Sequence, residues 1–127
     1  MLLHKEHRGG VAVLLLRTNR LTVEDAADLK SRLAACFAAG HKLQVLDFTA
    51  VQFVDSSGLG ALISSLKLVS TEGEIAVCSL QGPVRSLFKL TRMDRVFRIF
   101  ENADDAVAAL EGLTGKQEAG SNDAPQD

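Results

Sequence analysis

Tryptophan and tyrosine are absent from the 127-residue chain, and six phenylalanines supply all of its aromatic side chains. Stacking platforms for nucleic-acid bases are therefore nearly missing. Neither sign of charge dominates, since 14 Lys and Arg stand against 16 Asp and Glu for a formal net charge of −2. So balanced a chain has no general attraction for phosphate backbones or anionic membranes, which argues against nucleic-acid binding. The cysteines, Cys36 and Cys78, stand in apolar segments without CxxC spacing and read as small buried hydrophobes in a reducing compartment. His4, His7 and His41 lack a companion cluster of ligands at metal spacing, so no metal or other cofactor is expected. The apolar run "VAVLLL" at 11–16 is too short to span a bilayer, and no small-residue cleavage site follows it. A soluble cytoplasmic domain without membrane insertion is the expectation.

What is present is an alternation of strand and helix. Hydrophobic residues make up 46% of the sequence, enough for one domain with a real core. After the "RGG" turn at 8–10, residues 11–16 read as a buried strand, and "LLHKEH" before them as an edge strand paired with it. The stretch "LTVEDAADLKSRLAACFAAG" reads as a helix. Thr22 and Asp25 have capping-box spacing, Ala26, Leu29, Leu33 and Phe37 share a face, and Gly40 supplies the stop. "LQVLDF" (43–48) is a strand, and a second helix follows with Leu59, Leu62, Ile63, Leu66 and Val69 as its apolar stripe. "EIAVCS" (74–79), the helix "GPVRSLFKLT", the strand "VFRIF" and the helix "NADDAVAAL" complete the series, with Asn102 and Asp105 repeating the cap spacing. Such a series implies right-handed crossovers and an α/β fold with a mostly parallel or mixed sheet. Residues 1–112 form the domain; from 113 to 127 there is almost nothing to bury, and a disordered tail is expected.

The stretch "FVDSSGLG" at 53–60 poses the functional question. A hydrolase elbow needs glycine two residues before its serine, and Asp55 stands there instead, with no histidine placed as a base. A phosphate loop needs a lysine and more length, and the three-glycine dinucleotide fingerprint is missing too. A helix cap by "DSS" is the plain structural alternative. It leaves Gly58 and Gly60 unexplained, since each costs up to about 1 kcal/mol relative to Ala inside a helix. Without side chains there, the Ser57 hydroxyl becomes approachable by another protein.

Over residues of about 10 to 111, the chain resembles a STAS domain, the fold of bacterial anti-sigma-factor antagonists. The segments that bear the likeness are "LAACFAAGHK", "LQVLDFTAVQFVDSSGLGALISSLK" and "GEIAVCSLQGPVRSLFKLTRMDRVFRIFENADDAVAAL". D-S-S-G-L-G after a "VLDF" strand is similar to the phosphorylatable branch, which implies Ser57 as phosphoacceptor. Asp55, Ser56, Gly58 and Leu59 would then be its neighbours in the partner-binding site. The resemblance implies partner switching without catalysis by this chain. The unphosphorylated form binds an anti-sigma factor with a kinase-type ATP-binding fold, that factor phosphorylates the serine, and a Ser/Thr phosphatase restores it. Relatives often read Gly-x-Leu-Asp where this chain has "NRLT" at 19–22, with Asn19 and Thr22 at the differing positions. Arg20 in that turn is a residue that can alter which kinase recognises the domain.

The resemblance also admits a STAS regulatory subunit of a membrane transport or ABC-type assembly, although "DSSG" favours the antagonist. Phe88, Phe97 and Phe100 read as core or edge packing. Lys67, Arg85, Lys89, Arg92, Arg95 and Arg98 give the later half a basic tint, a solvated surface or a contact for an acidic partner.

Overall fold

The most apolar strands stand side by side at the centre of one sheet. β2 (Val11–Leu16), β4 (Leu43–Asp47) and β6 (Glu74–Cys78) pair in parallel in that order. β7 (Arg98–Phe100) extends the sheet in parallel beside β6. β1 (Leu3–Arg8) closes the other edge antiparallel to β2, with Leu3 opposite Leu16 and Arg8 opposite Val11. The order β1-β2-β4-β6-β7 is the mixed, mostly parallel sheet expected from the alternation. This computed structural model describes residues 3–69 and 72–120, with side chains as far as Leu113.

Period-two alternation divides the strands between two cores. Leu14, Leu46, Ile75 and Val77 face the layer of α1 (Val23–Ala38), α2 (Ser56–Val69) and α3 (Gly82–Leu90). Val13, Val45, Ala76 and Cys78 face the other way, onto Ala106, Val107 and Leu110 of α4 (Ala103–Gly120). With both faces covered, the central strands have no polar alternation to show, hence their near-continuous apolar sequence. Burying a side chain such as Leu46 or Phe88 contributes roughly 1.5–3 kcal/mol, and both are fully buried. Phe48, Phe88 and Phe97 lie together with ring centroids 6.1 Å apart in each neighbouring pair, so the core reading holds for Phe88 and Phe97; Phe100 packs partly buried against the α4 side.

Several local expectations change. The α2 stripe is rotated: Ala61, Leu62, Ser65 and Val69 are buried with Gly58, whereas Leu59 and Leu66 pack only partly against the core and Ile63 is half-buried. Small residues on the inner face let α2 lie close to its neighbours, and the buried Ser65 hydroxyl is satisfied by donating to the Ala61 carbonyl at 2.8 Å. The "VFRIF" strand is shorter than its sequence, because a 3-10 turn (Met93–Arg95) precedes it and Phe97 turns into the core. The Asn102 cap forms, its Oδ1 accepting the Asp105 N–H at 2.8 Å. The helix it starts stays helical to Gly120, past Thr114, where the composition predicts a disordered tail. Each further residue adds a backbone hydrogen bond, and Lys116, Gln117, Glu118 and Ala119 are good helix formers. Residues 121–127 of that expected tail lie outside the described residues.

Candidate functional site

Beside the main sheet, β3 (Arg20–Leu21) and β5 (Phe53–Val54) form a parallel ribbon of two residues each. The Asn19 carbonyl accepts the N–H groups of Gln52 at 2.8 Å and Phe53 at 3.1 Å, and the Leu21 carbonyl accepts the Asp55 N–H at 3.1 Å. One face of the ribbon buries Leu21 and Val54. The other shows Phe53 to solvent, with the Arg20 guanidinium 4.3 Å from its ring centroid. This register delivers Asp55 between the starts of two helices.

Asp55 serves both. Its Oδ1 accepts the Gly58 N–H at 2.9 Å in the first turn of α2, and its carbonyl accepts the Leu59 N–H at 3.0 Å. Its Oδ2 accepts the Val23 N–H at 3.2 Å, the first residue of α1. The capping box expected from Thr22 does not form: Thr22 stands at the cap position with no side-chain cap bond, and its carbonyl accepts the Asp25 and Ala26 N–H groups instead. A carboxylate at two helix N-termini answers unpaired amides and the positive ends of both dipoles. Sequence spacing does not reveal this pairing, because Asp55 and Val23 are 32 residues apart.

With Asp55 as the cap, the serines are relieved of that task. Ser56 is exposed and Ser57 half-buried at the first two positions of α2. No hydrogen bond engages the Ser57 hydroxyl among the described residues. The glycines separate into two roles. A Cβ on Gly58 would lie 2.6 Å from the Leu21 carbonyl oxygen, so this glycine lets α2 close on β3. Gly60 is exposed with nothing within 4 Å of a Cβ, so it alone fits the expectation of a surface stripped for approach. Leu59 leans partly onto the core.

The ribbon brings to this face Arg20, which the turn at 19–22 already marks, together with two residues that sequence patterning passes over: Phe53 and, two residues beyond the ribbon, Val23, which is 64% exposed. Strands of two residues are too short for any periodicity to mark. Among the described residues, no group of three or more His, Cys, Asp or Glu is placed to hold a metal. No helix there is long and apolar enough to cross a membrane.

The family model of the STAS domain matches residues 3–106, and the chain belongs to that family. It is 37% identical over 68 residues to the anti-sigma F factor antagonist of Paenibacillus polymyxa, covering 53% of this chain and 58% of that protein. With the anti-sigma-F factor antagonist RsfB of Mycobacterium tuberculosis it shares 27% identity over 103 residues, or 81% of this chain and 84% of the relative. The crystal structure of an anti-sigma factor antagonist from Mycobacterium paratuberculosis superposes with a TM-score of 0.78 at 27% identity, over 87% of this chain and 93% of that one.

Proposed function

We propose that this protein is an anti-sigma factor antagonist whose binding face is centred on Ser57 and is switched off by phosphorylation there. The names of its relatives support the antagonist role. One observation carries the choice of residue: Asp55 takes over the helix cap, leaving the hydroxyl of half-buried Ser57 without a hydrogen bond among the described residues at the second position of α2.

In this reading the unmodified face, with Asp55, Ser56, Ser57, Gly58 and Leu59 at its centre, binds an anti-sigma factor with a kinase-type ATP-binding fold, and a sigma factor is freed. The same partner then transfers the γ-phosphoryl group of ATP to Ser57 Oγ, releasing ADP and the hydroxyl proton. A Ser/Thr phosphatase hydrolyses the ester back to serine and inorganic phosphate. The chain is substrate and binding module, acting in the cytoplasm without catalysis of its own.

Charge decides the direction of the switch. A phosphate adds about −1.5 to −2 charges and three acceptor oxygens. At the second residue of α2 it meets unpaired amides and the positive end of the helix dipole, so the folded domain tolerates it. Beneath a partner the same group must lose its water beside the Asp55 carboxylate. Burying an unpaired charge costs several kcal/mol, against about 8 kcal/mol for a micromolar complex. Fold is retained and contact is lost.

The test is calorimetric titration of the anti-sigma factor from the same cells with the unmodified protein, Ser57→Ala and Ser57→Asp. Tight binding by the first two and loss of binding by Ser57→Asp is the expected pattern. Equal affinity of all three overturns the switch at Ser57, and no binding by any of them overturns the antagonist role.

A further inference from the structure

One cleft shares none of its lining with the serine face. It has a volume of about 520 Å³ and lies where α3, the 3-10 turn and β7 meet. Its floor is aromatic, with Phe88 and Phe97 buried beneath it and Phe100 to one side. Its rim is cationic: Arg85 and Lys89 stand one helical turn apart on α3, and Arg98 adds a third cation from the other face of β7, against the single acid Asp94. Arg85 reaches Glu101 at 3.9 Å, whereas Lys89 has no ion-pair partner among the described residues and the Arg98 guanidinium lies over the Phe100 ring at 5.4 Å. Next in sequence to the lining residues Lys89 and Phe97, Leu90 is 83% exposed and Val96 46% exposed.

The backbone here has an opening as well. Among the described residues β7 is the last strand of the sheet, paired with β6 on one side only. Its three residues, Arg98, Ile99 and Phe100, all line the cleft although neighbouring strand residues point to opposite faces, so the cleft runs along the strand's open edge. The Phe100 carbonyl accepts the Ser79 N–H and so faces β6. Alternation then turns the N–H and carbonyl of Ile99 outward, toward the cleft.

We propose that this edge is a second docking surface, which takes an extended segment of a partner protein with acidic and apolar residues in successive pairs, so that each face of the added strand carries both. Main-chain bonds to Ile99 align the segment beside β7, its carboxylates meet Lys89 and Arg98, and its apolar side chains cover the aromatic floor. Pairing at an exposed sheet edge with side-chain pockets alongside is an established mode of peptide recognition. Charge complementarity selects an acidic strand over a basic one. The surface is independent of Ser57, so a partner held here stays bound whichever state the serine is in.

The test uses the full chain, labelled with nitrogen-15, and a short acetylated peptide of successive Glu-Glu and Val-Val pairs as the probe. Saturable amide shifts centred on Ile99 and Arg98 are expected, with affinity about tenfold or more weaker in Lys89→Glu/Arg98→Glu and falling with added salt. Both substituted residues are exposed, so the variant retains the fold, which its amide spectrum verifies. A version of the peptide with N-methylated backbone amides, unable to pair with the Ile99 carbonyl, is expected to lose the interaction. Shifts centred elsewhere, equal binding by the charge-reversed variant, or equal binding by the N-methylated peptide overturns the proposal. So does the same pattern of shifts with free glutamate or inorganic phosphate, which marks a small-anion site instead.

Discussion

Asp55 and Val23 are joined by a hydrogen bond of 3.2 Å that ties the first turn of α1 to the loop from which α2 starts. The same carboxylate accepts the Gly58 N–H at 2.9 Å, so one side chain organises both helix N-termini next to Ser57. Losing a helix cap costs about 0.5–2 kcal/mol. Asp55→Ala is therefore expected to destabilise the protein by roughly 1–3 kcal/mol, toward the sum of two caps. Asp55→Asn, with one acceptor oxygen left, falls between. Urea denaturation of the three proteins checks the ranking; an Asp55→Ala variant as stable as the parent removes the double cap from the account.

Gly58 and Gly60 are expected to respond to alanine with opposite signs. At Gly58 the new methyl group meets the Leu21 carbonyl oxygen at 2.6 Å, a backbone atom held in the β3–β5 ribbon, and overpacking of this kind costs about 1–3 kcal/mol. At Gly60 it meets open space, and alanine in a helix is up to about 1 kcal/mol better than glycine. Melting temperatures of the two variants are the readout, lower for the first and equal or higher for the second.

Ser57→Ala is expected to leave stability within about 0.5 kcal/mol of the parent, the range for a surface change that breaks no specific interaction. A serine that served as the helix cap would cost about 1 kcal/mol instead. Denaturant midpoints separate the two outcomes, and the comparison asks only about the fold, independently of any partner.

Both thiols are expected to be inert in the native protein. Burial, with the Asp47 carboxylate adding to it, pushes the Cys78 thiol up from 9.0 to about 11, and burial raises Cys36 as well. Since the thiolate is the reactive form, iodoacetamide at pH 8 should modify the folded chain at least about tenfold more slowly than the chain in urea. The fold favours the neutral thiol, so the unfolded chain loses its proton first as pH rises. Stability from this source is complete below about pH 9 and is lost between there and about pH 11. Denaturation midpoints across that window should fall, and Cys78→Ala should flatten the fall.

Much of the fold was legible because its signals are local and repeated. Apolar strands at 11–16, 43–47 and 74–78, each followed by an amphipathic stretch, leave few topologies other than a helix-covered parallel sheet. The Asn102 cap was legible for the same reason, its partner Asp105 being three residues on. The serine stretch stood out by its composition. What the sequence could not announce is what long-range register makes. The β3–β5 ribbon is two residues wide, and only its pairing places Asp55 against Val23 and Gly58 against Leu21. Thr22 had every local mark of a cap, yet a carboxylate from another segment serves the helix it precedes. Rank of hydrophobicity does not locate the inner face of α2, since close approach puts Ala61 and Ser65 inside and leaves Ile63 half-buried.

The central claim is that Ser57 bears the switch. It is tested most directly by phosphosite mapping, with mass spectrometry, of the protein recovered from its own cells during growth and under stress. The account predicts a phosphate on Ser57 whose occupancy changes between the two conditions. A Ser57 that stays unmodified in every condition, or a phosphate found on Ser56 in its place, contradicts it.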